Sequence, residues 1–562
     1  MCAHFVLNNV HFLKTNQRKL SSNMNLYECL RQFLPQNLFL SAFIILRDFI
    51  LMIGGLASAN ALTNLVKRDF DQFMFWILVE ILAYIFYCYS LYIQDFYTSK
   101  VIQLMDTSIR QDIANRLAQS GYEKYHEKNE AVYSSWVTND INTINQNGLN
   151  NVYDLIDNLA NISFSVIALA YYHFSLILSA IVLSALVLAT PHIFTKRIAA
   201  ASLSMTQGNE KLTNQLTDIL EGFNPLYMLN LSRLIVSKTV TSSKKAAAKN
   251  NHYARVYGSM SATTNAVSVM CQTVIMIQTG LLVFAKLVTI GAVNATQNFA
   301  GSIFVGITGT SESLIAIKAV QPIFDKFTQL PDSHKQPTAE LNHFNQQLSV
   351  HNLSFGYDHR PEILKQISLT IEKNHKYALI GDSGSGKTTL LNILAGKLTS
   401  YTGELMIDGL NYQDLDLSQV REQIYCLDQD PYIFNDSLRN NITLDDHFHD
   451  LDLDKIIDQT GLSKLVSRLP DGLDTILQHK GSDLSGGEKQ RIVLARGLSS
   501  KRKIFLIDEG TSALDNRSRT EIEDPLTSDP QLTVVMVTHQ LRKELEPKLD
   551  RIYKITAHSL VQ

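Results

Sequence analysis

Six apolar stretches, each about as long as a membrane-crossing helix, occupy 38–62, 71–95, 151–172, 175–195, 262–285 and 295–318, and nothing else limits the fold of this chain so tightly. About 20 apolar residues carry a helix across the hydrocarbon core of a bilayer. Lipid offers no water to an unpaired backbone, so such segments must be helical. The stretch SLILSAIVLSALVLATPHIF is apolar almost throughout. Asn158 and Asn161 interrupt the third span, and Thr308 and Ser311 the sixth, which suits helices facing a bundle interior or a wet cavity. Gly301, Gly306 and Gly309 in the sixth span permit close packing or bending.

The spacing of the spans sets the topology. About 55 residues separate the second span from the third, and about 65 the fourth from the fifth, whereas spans three and four meet at Tyr172, His173 and Phe174. Both long excursions are polar, helical in pattern and poor in Gly and Pro, so each reads as two helical arms. At 1.5 Å per residue the arms reach tens of Å beyond the bilayer. They carry Lys100, Arg110, Arg116, Lys196, Arg197, Lys244 and Lys245, which places them in the cytoplasm by the positive-inside rule, although Lys67, Arg68 and Lys286 fall on the other side. An even number of spans puts both termini in the cytoplasm. The first ~25 residues are polar and lack the apolar core of a signal peptide. MNLYECLRQFLPQN, from Met24, reads as a short amphipathic helix at the membrane surface; the translation start lies at Met1 or Met24.

A chain of 562 residues exceeds one compact domain. Its net charge of -3 argues against nucleic acid as a partner, since that needs a basic surface. Cys2, Cys29, Cys88, Cys271 and Cys426 are scattered without a CxxC pair, so reduced thiols are expected rather than a disulfide frame or a zinc site. After Gln329-Leu330-Pro331-Asp332 the pattern changes to short strands, with Leu348, Val350, Leu353 and Phe355, then Ile367, Leu369 and Ile371, followed by helix-length segments. The expected division is 1–37 tail and interfacial helix, 38–330 transmembrane domain, 331–346 linker, and 347–562 an α/β domain.

The α/β domain carries the chemistry. The strand Tyr377-Ala378-Leu379-Ile380 runs into GDSGSGKTT, residues Gly381, Asp382, Ser383, Gly384, Ser385, Gly386, Lys387, Thr388 and Thr389, and then into the helix LLNILAGKL. This is GxxxxGK[ST] between strand and helix, a phosphate loop. Its glycines let backbone N–H groups curl around phosphate oxygens at a helix N-terminus. Lys387 reaches the β- and γ-phosphates and the Thr388 hydroxyl ligates Mg²⁺. A second apolar strand, Ile504-Phe505-Leu506-Ile507, ends in Asp508-Glu509, where Asp508 can hold the metal and Glu509 can polarise the attacking water.

Between the two stands LSGGEKQR, Leu484 to Arg491, which resembles the signature of the ATP-binding-cassette (ABC) proteins. Further motifs resemble that family in the same order. The resemblance implies that Tyr357 stacks on adenine, that Gln429 in LDQDPYIF senses Mg²⁺, that Ser512-Ala513-Leu514-Asp515 is a D-loop, and that His539 contacts the γ-phosphate. With six spans before one cassette, the whole chain is similar to an exporter-type half-transporter: an all-α six-helix transmembrane domain followed by an α/β P-loop ATPase domain. Such chains bind ATP and Mg²⁺ and work as pairs, with the signature residues Ser485, Gly486, Gly487 and Glu488 of one cassette facing the phosphate loop of the other. The resemblance also places coupling helices near Ile109–Gln119 and Asp218–Met228. His479 stands where family exporters usually carry Glu, and Glu488 where Gln is commoner. No motif looks degenerate, so a homodimer is favoured over a heterodimer with a second half-transporter.

The resemblance implies ATP-driven export of a hydrophobic or amphipathic compound, such as a lipid, drug or peptide. An importer of metal chelates or vitamins on the same fold is one alternative, and an ATP-gated channel or sensor is another. A soluble cassette ATPase of DNA repair or translation is opposed by the six spans. The architecture suits a multi-pass protein of a bacterial plasma membrane. Within the spans, Arg47, Asp48 and Glu80 are charged, at roughly 2.5–3.5 kcal/mol each at a bilayer centre. They read either as substrate or proton contacts, or as internal ion pairs and interfacial groups. Phe73, Phe75, Trp76, Tyr84, Phe86, Tyr87, Tyr89 and Tyr92 make the second span an aromatic wall or an interfacial belt.

Overall fold

The computed structural model describes residues 25–328, 339–357, 361–429, 431–444, 452–508, 516–538, 541–556 and 559–561. The chain divides into two compact units, 1–118 with 129–331, and 119–128 with 332–562.

In the first unit α1 (Leu26–Gln32) starts where Asn25 Oδ1 accepts from the Glu28 N–H at 2.9 Å, an N-cap. Pro35 lies in the first turn of α2 (Leu34–Lys67), where a missing N–H costs nothing. α3 (Phe70–Gln119) follows. The third long helix, α5 (Glu130–Tyr172), contains two π turns, Trp136–Asp140 and Ile144–Leu149. They set Trp136 against Tyr133 and Phe327, and Asn145 Nδ2 on Asp106 of α3 at 2.9 Å. His173 adopts extended backbone, and its ring accepts from the Ser175 N–H, so the chain turns into α6 (Phe174–His192) without a loop. α7 (Thr195–Glu221), α8 (Phe223–Met228), α9 (Arg233–Phe284), α10 (Ala292–Ala319) and α11 (Gln321–Thr328) complete the unit. Among the described residues six helices are long and apolar enough to cross a membrane; four enclose the spans read from the sequence, while the fourth ends at His192 rather than 195 and the fifth at Phe284 rather than 285.

The unit's core joins Leu169, Leu176, Cys271, Ile275, Ile303 and Phe304. The glycines of α10 let it approach α5 closely: a Cβ on Gly306 would lie 2.8 Å from Ile162, and one on Gly309 2.8 Å from the Asn158 amide. As one number rises the other falls, so the two helices run antiparallel. Asn158, Asn161 and Thr308 are half-buried here, whereas Ser311 is exposed.

Each long excursion is two helical arms with a short helix between. The first short helix, however, is α4 (Tyr122–His126) and not 109–119. Residues 109–119 continue α3, because Ile109, Ile113 and Arg116 keep helical spacing and are buried; the arm stops only before Gly121. The short helix of the second excursion, α8, overlaps its expected position.

The second unit contains two sheets. One is antiparallel, ordered β2-β1-β4-β5, from β1 (Gln347–Phe355), β2 (Leu364–Glu372), β4 (Thr402–Ile407) and β5 (Leu410–Asn411). The other is ordered β10-β9-β3-β8-β7-β6. In it β3 (Lys376–Gly381), β6 (Ile424–Leu427), β7 (Ile504–Asp508), β8 (Thr533–Thr538) and β9 (Arg551–Thr556) are parallel, and β10 (Ser559–Val561) pairs antiparallel with β9. The central strands are buried along most of their length, as expected where helices cover both faces of a parallel sheet. The register Ile380↔Thr538 and Asp508↔Val537 brings the carboxyl ends of β3, β8 and β7 side by side. Open α/β sheets bind ligands outside these strand ends.

Candidate functional site

The loop leaving β3 turns into α12 (Lys387–Leu394) at Gly386, which has φ +100° and would drive a Cβ to 2.6 Å from Leu364. Gly384 also takes a left-handed φ of +78°. Both positions need glycine. Ser385 N–H donates to the Asp382 carbonyl at 3.2 Å, while its buried Oγ has no hydrogen-bond partner. Asp382, Ser383 and Thr388 are exposed, and Thr389 is buried.

Lys387 is 4% exposed, so its ammonium must be satisfied from within. Nζ donates to the Gly381 carbonyl at 2.9 Å and the Asp382 carbonyl at 2.8 Å. An ammonium has three donors. The third can meet an anion cradled by the loop. Thr388 Oγ1 donates to Asp508 Oδ1 at 3.0 Å across 120 residues of sequence. The loop and the end of β7 therefore present a hydroxyl and a carboxylate together, an oxygen pair suited to Mg²⁺.

The signature opens α13 (Gly486–Ser499). Ser485 is its N-cap, and Glu488 closes a capping box by accepting from Ser485 N–H and Oγ, both at 2.8 Å. Arg468 binds the other Glu488 oxygen at 2.8 Å. Burial works to raise the Glu488 pKa, but the Ser485 and Arg468 hydrogen bonds outweigh it and hold the carboxyl below its ordinary value. The bonds of this segment thus run inward, and Ser485 and Gly486 remain exposed at the helix start.

Tyr357 is 40% exposed and packs edge-on to Phe355 at 5.1 Å, leaving a ring face open. Gln429 is exposed just beyond β6. Glu509, Asp515 and His539 lie outside the described residues, as do Ser512, Ala513 and Leu514; the side chain of His479 is likewise not described.

One cluster was not legible in the sequence. Lys397, just past α12, pairs with Asp428 at 2.9 Å, next to Gln429. Its Nζ also lies 5.6 Å from the centroid of Tyr122 in α4. Glu123 of the same short helix accepts from Thr399 Oγ1 at 2.8 Å and Ser400 Oγ at 3.3 Å. Lys397 and Asp428 are 31 residues apart, and Glu123 and Thr399 276, so no local pattern could have paired them.

The ABC transporter transmembrane region family matches residues 38–308, and the ABC transporter family matches 364–512. Together they take in most of the chain, which belongs to the ABC transporters, with a transmembrane region and a single ATP-binding cassette fused in one polypeptide. The ATP-dependent lipid A-core flippase of Syntrophus aciditrophicus is 32% identical over 228 residues, 40% of this chain and 38% of the flippase. The mycobactin import ATP-binding/permease protein IrtB of Mycolicibacterium thermoresistibile is 38% identical over 181 residues, 32% of this chain and 31% of that protein. The matched stretch thus spans well under half the length of these curated relatives. A solved bacterial Atm1-family ABC exporter with ATP bound shares the fold over 95% of both chains, with a TM-score of 0.78 at 19% identity.

Proposed function

We propose that this chain is one half of an ATP-driven exporter of a hydrophobic or amphipathic compound. The observation that carries the reading is the assembly of Lys387, Thr388 and Asp508 at the strand ends of a cassette that shares its chain with six membrane-length helices. Gly381–Thr389 cradle the triphosphate of ATP, and the free Ser385 Oγ is a donor suited to a phosphate oxygen. Tyr357 stacks on adenine. Thr388, Asp508 and Gln429 hold Mg²⁺, which when bound neutralises charge on the phosphates. Glu509 takes a proton from the attacking water as its oxygen bonds to the γ-phosphorus and the bridging P–O bond breaks, leaving ADP. His539 steadies the γ-phosphate.

Ser485, Gly486, Gly487, Glu488 and Asp515 act on the nucleotide of a second cassette, so the working unit is a dimer, and a homodimer is favoured. Closure of two cassettes on ATP and reopening after hydrolysis shifts the membrane helices, because ATP binds the closed state better. The protein then sits in the plasma membrane, of a bacterium by its architecture, with the cassette cytoplasmic. The similarity to a mycobactin importer keeps inward transport as the second reading.

The test is the ATPase rate of the purified chain in lipid nanodiscs, followed by ATP-dependent flux in inside-out vesicles. Turnover that Lys387→Ala removes, with accumulation inside the vesicles, supports export. Turnover with depletion supports import, and ATP binding without turnover removes the transporter reading in favour of a gate.

A further inference from the structure

Of the residues proposed to hold Mg²⁺, Thr388 and Asp508 fix each other by their hydrogen bond at 3.0 Å, whereas the Gln429 side chain makes no hydrogen bond among the described residues. A ligand left without support contributes little to a metal site, because its partners are what orient it. Gln429 lies two residues beyond Leu427, where the pairing of β6 with β7 ends opposite Ile507. The next hold on the chain is Asp428, whose carboxylate accepts from Lys397 Nζ at 2.9 Å. Lys397 is itself anchored: its backbone N–H donates to the Asn392 carbonyl at 2.9 Å and closes the end of α12, the helix that opens with Lys387 and Thr388. The ion pair thus ties the far end of the phosphate-loop helix to the residue before Gln429.

A lysine–aspartate pair in open water holds little. Here the two partners differ, since the Lys397 side chain is 17% exposed and that of Asp428 61%. The Tyr122 ring of α4 lies over the ammonium, with its centroid 5.6 Å away, and is itself stacked on His126 at 4.0 Å. Glu123 accepts from Thr399 Oγ1 at 2.8 Å, which seats α4 over the segment that follows Lys397. The ring attracts the cation and keeps water from it, and both effects strengthen the bond to Asp428.

We infer that Lys397 is a positioning residue for ATP hydrolysis: through Asp428 it fixes the backbone that presents Gln429 to Mg²⁺. The inference rests on the reading of Gln429 as a metal ligand and adds the support behind it.

The test uses the full chain in nanodiscs carrying Glu509→Gln, so that ATP stays bound, with Mn²⁺ in place of Mg²⁺ and its binding read by electron paramagnetic resonance. Lys397→Met should weaken Mn²⁺ binding about 10-fold, the lower end of the loss when the support behind a metal ligand is removed. Lys397→Arg can still bind Asp428 and lie on the Tyr122 ring, so it should restore the affinity. Asp428→Ala should match Lys397→Met, and its exposed position keeps the test open where Lys397→Met disturbs folding. Binding of a fluorescent ATP analogue without metal should stay at the wild-type level in all three, which damage to the fold would not allow. Wild-type Mn²⁺ affinity in Lys397→Met or Asp428→Ala overturns the inference, and so does an equal loss of metal-free nucleotide binding. Gln429→Ala separates the two readings. If it weakens Mn²⁺ binding while Lys397→Met does not, the inference alone fails; if it leaves Mn²⁺ binding unchanged, Gln429 is no ligand and the reading beneath fails.

Discussion

The ATPase unit and the membrane unit both bury cations, and they neutralise them differently. In the ATPase unit Lys376 is 5% exposed and donates to three backbone carbonyls, of Asn374, Asp529 and Leu532, at 3.2, 2.8 and 2.7 Å. Burial lowers its pKa, against the pull of Asp529 and Asp550. All three donors are used, so Lys376 is part of the frame. Lys387 donates to two carbonyls, and the donor left over is what an anion can use. In the membrane unit Arg47 is held instead by Asp48 and Asp157, and there the surplus is negative. Lys376 is thus spent on the frame and Arg47 on a clamp between helices, whereas Lys387 keeps a donor to spare.

The sharpest way to break this contrast is at the chemical step. Glu509→Gln should lower steady-state ATP turnover by about 10²- to 10⁴-fold, the range of a general base, while ATP stays bound. Normal turnover in that variant would refute the base, and loss of ATP binding would move Glu509 from chemistry to folding. Next comes Arg47→Met, which leaves Asp48 and Asp157 facing each other without their cation. Breaking a buried pair from one side costs about 3–5 kcal/mol, so a large drop in the thermal midpoint of the purified chain is expected. A midpoint near that of wild type would show that water reaches the cluster and that Arg47 clamps nothing.

Lys387→Ala should act on ligand and not on fold. Charged hydrogen bonds contribute roughly 1.5–3 kcal/mol, so ATP affinity should fall about 10- to 100-fold, read by titration with a fluorescent nucleotide analogue. An unchanged affinity would make Lys387 a second Lys376, a lysine kept only for its carbonyls.

The two units also differ in how far their sequence can be read. Lys387 and its acceptors lie within six residues, and the loop's glycines, strand and helix share one short window. Even Thr388 and Asp508, 120 residues apart, each belong to a recognisable motif, Thr388 to the phosphate loop and Asp508 to the end of an apolar strand. The six spans were equally plain, because lipid demands a long apolar run. Asp157 was not, since a lone acid in a helix carries no signature, and its partner Arg47 lies 110 residues away on another helix. Lys397 with Asp428 was hidden for the same reason. The first short helix was misplaced because 109–119 has the same helical periodicity as the arm it belongs to, and only Gly121 marks the stop.

The smallest effect lies at the signature. Glu488 both closes the capping box on Ser485 and pairs with Arg468, and a glutamine keeps only the first role, since its side-chain carbonyl can still accept from Ser485 N–H. Arg468 is 60% exposed, so the lost pair is screened, and Glu488→Gln should cost about 0.3–1 kcal/mol at neutral pH. The pH dependence fixes the sign. The folded-state pKa of Glu488 is held below its ordinary value, so its contribution is complete above the unfolded value of about 4.3 and is lost as pH falls through the folded one. Thermal midpoints of wild type and Glu488→Gln should therefore differ slightly at neutral pH and converge in acid, and added salt should narrow the gap. A gap that persisted below the folded pKa would assign the loss to capping geometry, and the Arg468 pair would then contribute nothing to this helix start.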